Sequence, residues 1–288
     1  MFVAAGRTLL SGNWGNAFAN PAIQVGPLQL AAFGSVGRFP TALAIVLGVA
    51  AAASVVAAAY AAGVRRPLLI GGLGLVAVAT GFTRAGFDSG HPADSIVPLL
   101  WVVAAADARC GRALRAGTIV GLSAGLETWG ILGIAVLVLS PRLKDAARAG
   151  GVTLAVSAAL FLPFVASGRF DTGRYHWFVS SHSLLSHLVG AGTTFGWSLR
   201  LAQGALALTA GVVVAIAARR SRHAVWLVPC VVVAVRLLLD PLDSDYYFVA
   251  IEGPALVGLG LMVTWTLPSL RRRQLPARSR LGRALRST

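Results

Sequence analysis

Apolar runs long enough to matter to a bilayer are separated in this chain by loops whose charge is sorted. One set of loops is nearly pure base: Arg65 and Arg66, then Arg109, Arg112 and Arg115, then Arg142, Lys144 and Arg148, then Arg219, Arg220 and Arg222, then the tail from Arg271 to Arg286. The alternate set holds Asp88, His91, Asp94, Glu127, Asp171, His176, His182, His187, Asp240, Asp243 and Asp245. Lys and Arg excess marks cytoplasmic loops, so the first set predicts the cytoplasmic face and the second the face on which chemistry is expected.

Composition agrees. Of 288 residues, 56% are hydrophobic and 12% charged, too apolar for an ordinary soluble domain of this length. A net charge of +15 raises the question of nucleic acid, but the arginines lie in short loops between apolar runs and form no aromatic-interleaved patch. No nucleic-acid partner is expected; membrane lipids are. Cys110 falls in a basic loop and Cys230 in an apolar run, so no disulfide is expected.

The expected fold is all-α, a polytopic integral membrane protein of about nine membrane segments, with 1–269 as a single transmembrane domain and 270–288 as a basic cytoplasmic tail. Residues 1–39 read as a non-cytoplasmic loop with short helices, since Arg7, Asn13, Asn16, Asn20, Pro21 and Gln24 interrupt them. Segments are expected over 40–62, 67–83, 95–106, 150–166, 198–218, 224–239 and 248–267, with a long non-cytoplasmic loop over 168–197. The run 113–140 is broken at Glu127-Thr128-Trp129-Gly130. Two half-spans meeting at Glu127 keep Arg142, Lys144 and Arg148 on the basic side, whereas one continuous helix would not. Gly121 and Gly125 form a small-xxx-small pair suited to close helix packing. A cytoplasmic tail then places the amino terminus outside, and the expectation is a further apolar helix upstream of Met1 to export it.

Four groups could carry chemistry. Around Arg84, Asp88, His91 and Asp94, a guanidinium and an imidazole could hold a phosphate while a carboxylate accepts a proton from a hydroxyl; Asp94 has the competing role of helix cap after Pro92. Glu127 is a carboxylate near bilayer depth, fitting either a cavity or a structural ion pair, and Trp129 beside it fits an interfacial anchor or a sugar platform. In the long loop, His176, His182 and His187 accompany Tyr175 and Trp177, yet no acidic or cysteine ligand lies at a metal-binding interval, so no metal is expected. Arg236 lies one helical turn before Asp240, and the run continues through Asp243, Asp245, Tyr246 and Tyr247 to Glu252. Either Arg236 pairs with Asp240 or Glu252, or it clamps a phosphate while the acids and tyrosines hold hydroxyls. Three aspartates in six residues could also bind a divalent cation, although Mg²⁺ or Ca²⁺ needs more ligands than this string guarantees; no cofactor is expected.

In their order, several short motifs resemble the polytopic glycosyltransferases of the GT-C type: Ala5-Gly-Arg7-Thr-Leu-Leu-Ser-Gly12, Gln24-Val-Gly-Pro27-Leu, Gly90-His91-Pro92-Ala-Asp94, Gly121-Leu-Ser-Ala-Gly-Leu-Glu127-Thr-Trp129, and Asp240-Pro followed by Tyr246-Tyr247. The nearest group is the bacterial mannosyltransferases that use a polyprenyl-phosphate sugar (the DUF2029 group, family 87-like). The resemblance implies transfer of a sugar, mannose by this likeness, from a polyprenyl-phosphate donor to an envelope glycolipid or glycan on the non-cytoplasmic face of the cell membrane. Under this hypothesis the residues themselves suggest Arg84, His91 and Arg236 near the donor phosphate, and Trp129, His176, Trp177, Asp240, Asp245, Tyr246 and Tyr247 near sugar or acceptor. Relatives place their catalytic carboxylate before the segment matching Ala5–Gly12, which here would precede Met1. Asp88, Asp94 and Glu127 stand as its substitutes, and Glu127 occupies a position where relatives carry lysine. Two other readings follow from the same residues: a truncated, non-catalytic relative acting as an assembly partner, and a transporter, which would favour an inverted repeat that the sequence does not display.

Overall fold

The computed structural model describes residues 1–37, 39–79, 91–242 and 248–273, without the side chains of Pro40 and 266–273. Arg84, Asp88, Asp243, Asp245, Tyr246, Tyr247 and most of the basic tail lie outside the described residues.

The chain is mostly helical. Three short helices, α1 (Phe2–Leu10), α2 (Trp14–Ala17) and α3 (Pro27–Val36), make up the amino-terminal segment. Then come α4 (Pro40–Ala62), α5 (Pro67–Ala79), α6 (Ala93–Arg109) and α7 (Ala113–Leu126). A 3₁₀ turn (Thr128–Gly133) leads into α8 (Ile134–Leu137) and the long α9 (Leu143–Ser167). A loop carrying β1 (Trp177–Phe178), α10 (Ser186–Val189) and β2 (Thr194–Phe195) precedes α11 (Trp197–Ala217), α12 (Ala224–Leu238) and α13 (Val249–Arg273).

Within this set, Thr41–Ala62, Leu143–Ser167 and Trp197–Ala217 are long and apolar enough to cross a membrane. Only 28%, 17% and 22% of their most apolar stretches are covered by the rest of the chain. Large apolar side chains such as Ile45, Val49, Leu154, Leu162, Leu201, Leu206 and Val213 are left on the outside. That is the distribution lipid stabilises and water does not. Pro67–Ala79, Ala113–Leu126, Thr128–Leu137, Ala224–Leu238 and Val249–Trp265 are apolar but shorter. Helix α9 starts several residues before the expected 150, carrying Lys144, Asp145 and Arg148 on its first two turns.

Basic loops converge at one end. Arg109 donates to the Ser221 carbonyl, and Arg219 donates to the carbonyls of Ser140 and Pro141. Arg222 lies 3.4 Å above the Trp265 ring. Asp107, a carboxylate on this basic side, is held by Arg115 at 2.9 Å and Arg112 at 3.2 Å. Since Arg109 and Pro141 both meet the 219–221 turn, the segment from α7 to α8 goes in and comes back to the end it left.

That return depends on small residues. A Cβ on Gly117, Gly121 or Gly125 would meet Ala149 O at 2.3 Å, Val156 Cβ at 2.6 Å or Leu160 Cδ1 at 2.5 Å, so this face of α7 lies flush against α9. The returning strand of chain presses on α7 just as closely, with Gly130 against the Ser123 carbonyl. Trp101 of α6 fills the remaining space, its indole N–H donating to Ser123 Oγ at 3.0 Å and to Gly130 O at 3.1 Å.

Candidate functional site

The helix break at Glu127 is where the site begins. Glu127 adopts φ −131°, ψ 137°, so the helical hydrogen bonds stop and the backbone turns extended. Buried backbone groups freed by such a break need partners. The amino-terminal segment supplies them: Val25 forms an antiparallel bridge with Glu127, Gly26 N–H donates to Leu126 O at 2.9 Å, and Thr128 Oγ1 donates to Gln24 O at 3.2 Å. A Cβ on Gly26 would sit 2.1 Å from Gly125 O, so glycine is what permits this approach.

Above the break lies a cavity of about 540 Å³, within the usual range for a small-molecule site. Its polar wall comes from His91, Asp94, Glu127, Arg200, Gln203 and Arg236. Its aromatic wall comes from Trp129, Tyr175, Trp177 and Trp197, while Leu201, Ala205 and Leu208 of α11 form a side. Leu201 is 67% exposed and belongs to the outer, apolar face of α11, so the cavity reaches that face.

Three polar arrangements hold the wall. His91, on the loop before α6, places Nδ1 3.4 Å from Glu127 Oε1, within hydrogen-bonding reach; the imidazole is 23% exposed and the carboxylate 3%. Burial works against charge on this imidazole, but the hydrogen bond and charge of Glu127, with the charge of Asp94, outweigh it and raise His91 above its ordinary value of 6.5. Next, Asp94 Oδ1 accepts from the Trp129 indole N–H at 3.0 Å, and the Trp129 ring face receives Arg236, whose Cζ is 4.5 Å from the ring centre. Finally, Arg200 Nη1 donates to Asp240 Oδ2 at 2.9 Å and to Gln203 Oε1 at 2.9 Å, with its guanidinium 4.8 Å from the centre of the Trp177 ring. Gln203 in turn donates to Arg236 O at 2.6 Å, tying α11 to α12.

Several expectations change at this point. Asp94 does not cap α6 through its side chain; the helix begins at Ala93, whose N–H is taken by Gln29 Oε1 at 3.3 Å, and the Asp94 carboxylate turns to Trp129 instead. Asp240 does pair with Arg236, at 3.9 Å, but Arg200 is its closer partner at 2.9 Å, and Glu252 is exposed on α13. Asp240 is buried behind the wall and does not line the cavity, and His176 is exposed outside it. Trp129 is a packed wall residue, edge-on to Trp101 at 5.3 Å. His91, Asp94, Glu127, Trp129, Trp177 and Arg236 are brought together as expected residues of one site. Arg200, Gln203 and Trp197 were not anticipated. The signal for Arg200 was available: it is a lone arginine near the start of an apolar span on the carboxylate side, where a charge calls for a partner.

Among the described residues no three His, Cys, Asp or Glu side chains come together as a metal site. Comparison with protein-family models, curated proteins and solved structures gives no match.

Proposed function

We propose that this chain is a multi-pass membrane glycosyltransferase of the GT-C type, with about nine membrane segments and its basic loops in the cytoplasm. In this reading it moves a hexosyl group, mannose by the resemblance, from a polyprenyl-phosphate donor to an envelope glycolipid or glycan. The single observation that carries it is the position of the cavity: charged and aromatic within, and open along Leu201 and Ala205 to the apolar face of a membrane-length helix. A ligand with a polar head and a long apolar tail suits such a site, because the head can sit in the cavity while the tail stays in lipid.

The chemistry follows from the wall. Arg236 and Arg200 face the cavity from adjacent helices, and in this reading they receive the donor phosphate. An acceptor hydroxyl attacks the anomeric carbon, the bond from that carbon to the phosphate oxygen breaks, and the lipid phosphate leaves with the electron pair. The hydroxyl proton passes to His91, the more accessible member of its pair, and Glu127 behind it steadies the imidazolium. Trp197 and Tyr175 offer aromatic surface for a sugar ring. Asp94 acts here by holding Trp129 under Arg236.

The test is transfer of label from radiolabelled polyprenyl-phosphate mannose to envelope lipids by the purified chain in lipid nanodiscs. Transfer that disappears in His91→Ala and Arg236→Gln supports the proposal. Absence of transfer together with absence of donor binding, read by quenching of tryptophan fluorescence, overturns it.

A further inference from the structure

The loop between α9 and α11 has two apolar faces, and among the described residues only one is covered by protein. Its inner face is a cluster of Trp177, Val179, Leu185 and Phe195, against which Tyr175, Trp197 and Leu242 pack. Trp177 pairs with Phe195 and Phe178 with Thr194 in the small hairpin, and Ser180 N–H donates to Pro241 O at 2.8 Å, fixing the loop over the end of α12. Through Trp177, Tyr175 and Trp197 this inner face forms part of the cavity wall.

On the outer face Phe178 is 64% exposed, Leu184 58%, Leu188 75% and Val189 41%. Leu184 and Leu188 lie one helical turn apart in a wound stretch, since His187 N–H donates to Leu184 O and Leu188 N–H to Leu185 O. The loop joins two membrane-length helices whose own outer faces are apolar close to it, with Leu162 and Val165 exposed near the end of α9 and Leu199 and Leu201 at the start of α11. The exposed apolar set is therefore continuous along the chain with the surface left for lipid.

We infer that this hairpin is a flap seated in the bilayer interface, with Leu184 and Leu188 inserted among lipid headgroups and acyl chains while the opposite face closes the cavity. The composition favours lipid over a second protein as the occupant. Ser181, His182 and His187 alternate with the leucines and are exposed; a dry protein interface would have to satisfy each of them, whereas the wet, polar edge of a bilayer does so without special geometry. Arg169, exposed at the base of the loop, is placed to attract headgroup phosphates, whereas Arg174 pairs with Asp171 at 3.3 Å. The inference rests on the membrane reading of α9 and α11 and holds whether or not the chain transfers a sugar. Its consequence is that the cavity has one wall whose position is set by lipid.

The experiment uses the full chain in phosphatidylglycerol-containing nanodiscs, with Cys110→Ser and Cys230→Ala as background and a fluorescent label at Leu188→Cys or, for reference, at the charged, exposed Arg174→Cys. Expected is strong quenching of the Leu188→Cys label by nitroxide-bearing lipid, with iodide quenching several-fold weaker than at Arg174→Cys. Free access of iodide to Leu188→Cys overturns the inference, and so does shielding from both quenchers, which would mean a protein cover. Footprinting of the unmodified chain reads the same quantity without substitution: Leu184 and Leu188 should react with a membrane-partitioning carbene and resist hydroxyl radicals, and the reverse pattern overturns it. Labelling that succeeds while sugar transfer fails would leave the flap standing and remove the enzyme.

Discussion

Arg200 on α11 meets Asp240 at the end of α12 with 2.9 Å between Nη1 and Oδ2, and both side chains are largely shut off from solvent. Such a pair contributes little over well-packed apolar replacements, but removing one member strands the other. We expect Asp240→Ala to destabilise the chain by about 3 kcal/mol or more, and Arg200→Met with Asp240→Leu to restore most of that loss. Thermal unfolding in nanodiscs measures both. Equal loss in the single and double variants would show that the pair is not what holds this corner.

Trp129 joins a carboxylate to a guanidinium, accepting Arg236 on its face while donating its N–H to Asp94. Trp129→Phe keeps a ring but removes the donor, leaving a buried acceptor unsatisfied at a cost of roughly 1–3 kcal/mol. The same change weakens the face that positions Arg236, so donor binding should weaken beyond what the stability loss accounts for. Titration of donor lipid against a folded fraction fixed by circular dichroism separates the two effects.

The pH dependence follows from His91. Its pKa is raised in the fold, so its contribution to stability is fully present below the unfolded value near 6.5 and is lost as pH rises through the higher folded value. Melting temperature should therefore fall in that window, while transfer activity, which needs the neutral imidazole, should rise in it. Glu127→Gln removes the group that raises His91, and the activity limb should shift to lower pH. A limb that stays in place would show that another group controls it.

Close packing at the helix break gives a steric prediction. Gly130→Ala puts a methyl 2.1 Å from the Ser123 carbonyl, where backbone must move, and overpacking of that kind costs about 1–3 kcal/mol or more. Gly150→Ala, in the open on α9, meets nothing within 4 Å and should be neutral or slightly stabilising, since alanine favours helix. Yield of folded protein after detergent extraction compares the two.

How much of this was legible in the sequence depends on the range of the signal. Helix limits written in local composition were readable: Pro40–Ala62 and Ala224–Leu238 lie within a residue of their expected bounds, and the break at Glu127 was visible in Glu127-Thr128-Trp129-Gly130. Gly121 and Gly125 gave notice of the contact with α9 without naming that helix. Partner choice was readable only in part. Arg236 and Asp240 at helical spacing do pair, at 3.9 Å, but Arg200, forty residues away, holds the same carboxylate more closely because α11 brings it near. In the same way Gln29, a neutral side chain in an apolar stretch, takes the α6 N-terminus that Asp94 was expected to cap.

Residues 25 and 26 close the break at 126 and 127, so one segment completes what the other leaves open. The half of the site around Val25 is synthesised about a hundred residues before the half around Glu127, a separation that the ribosome converts into time. A chain whose amino-terminal segment has failed to fold leaves these backbone groups unpaired, and in the proposed membrane setting that is the kind of defect a bilayer tolerates least. The same few hydrogen bonds therefore tie the floor of the cavity to the folding of the amino-terminal segment.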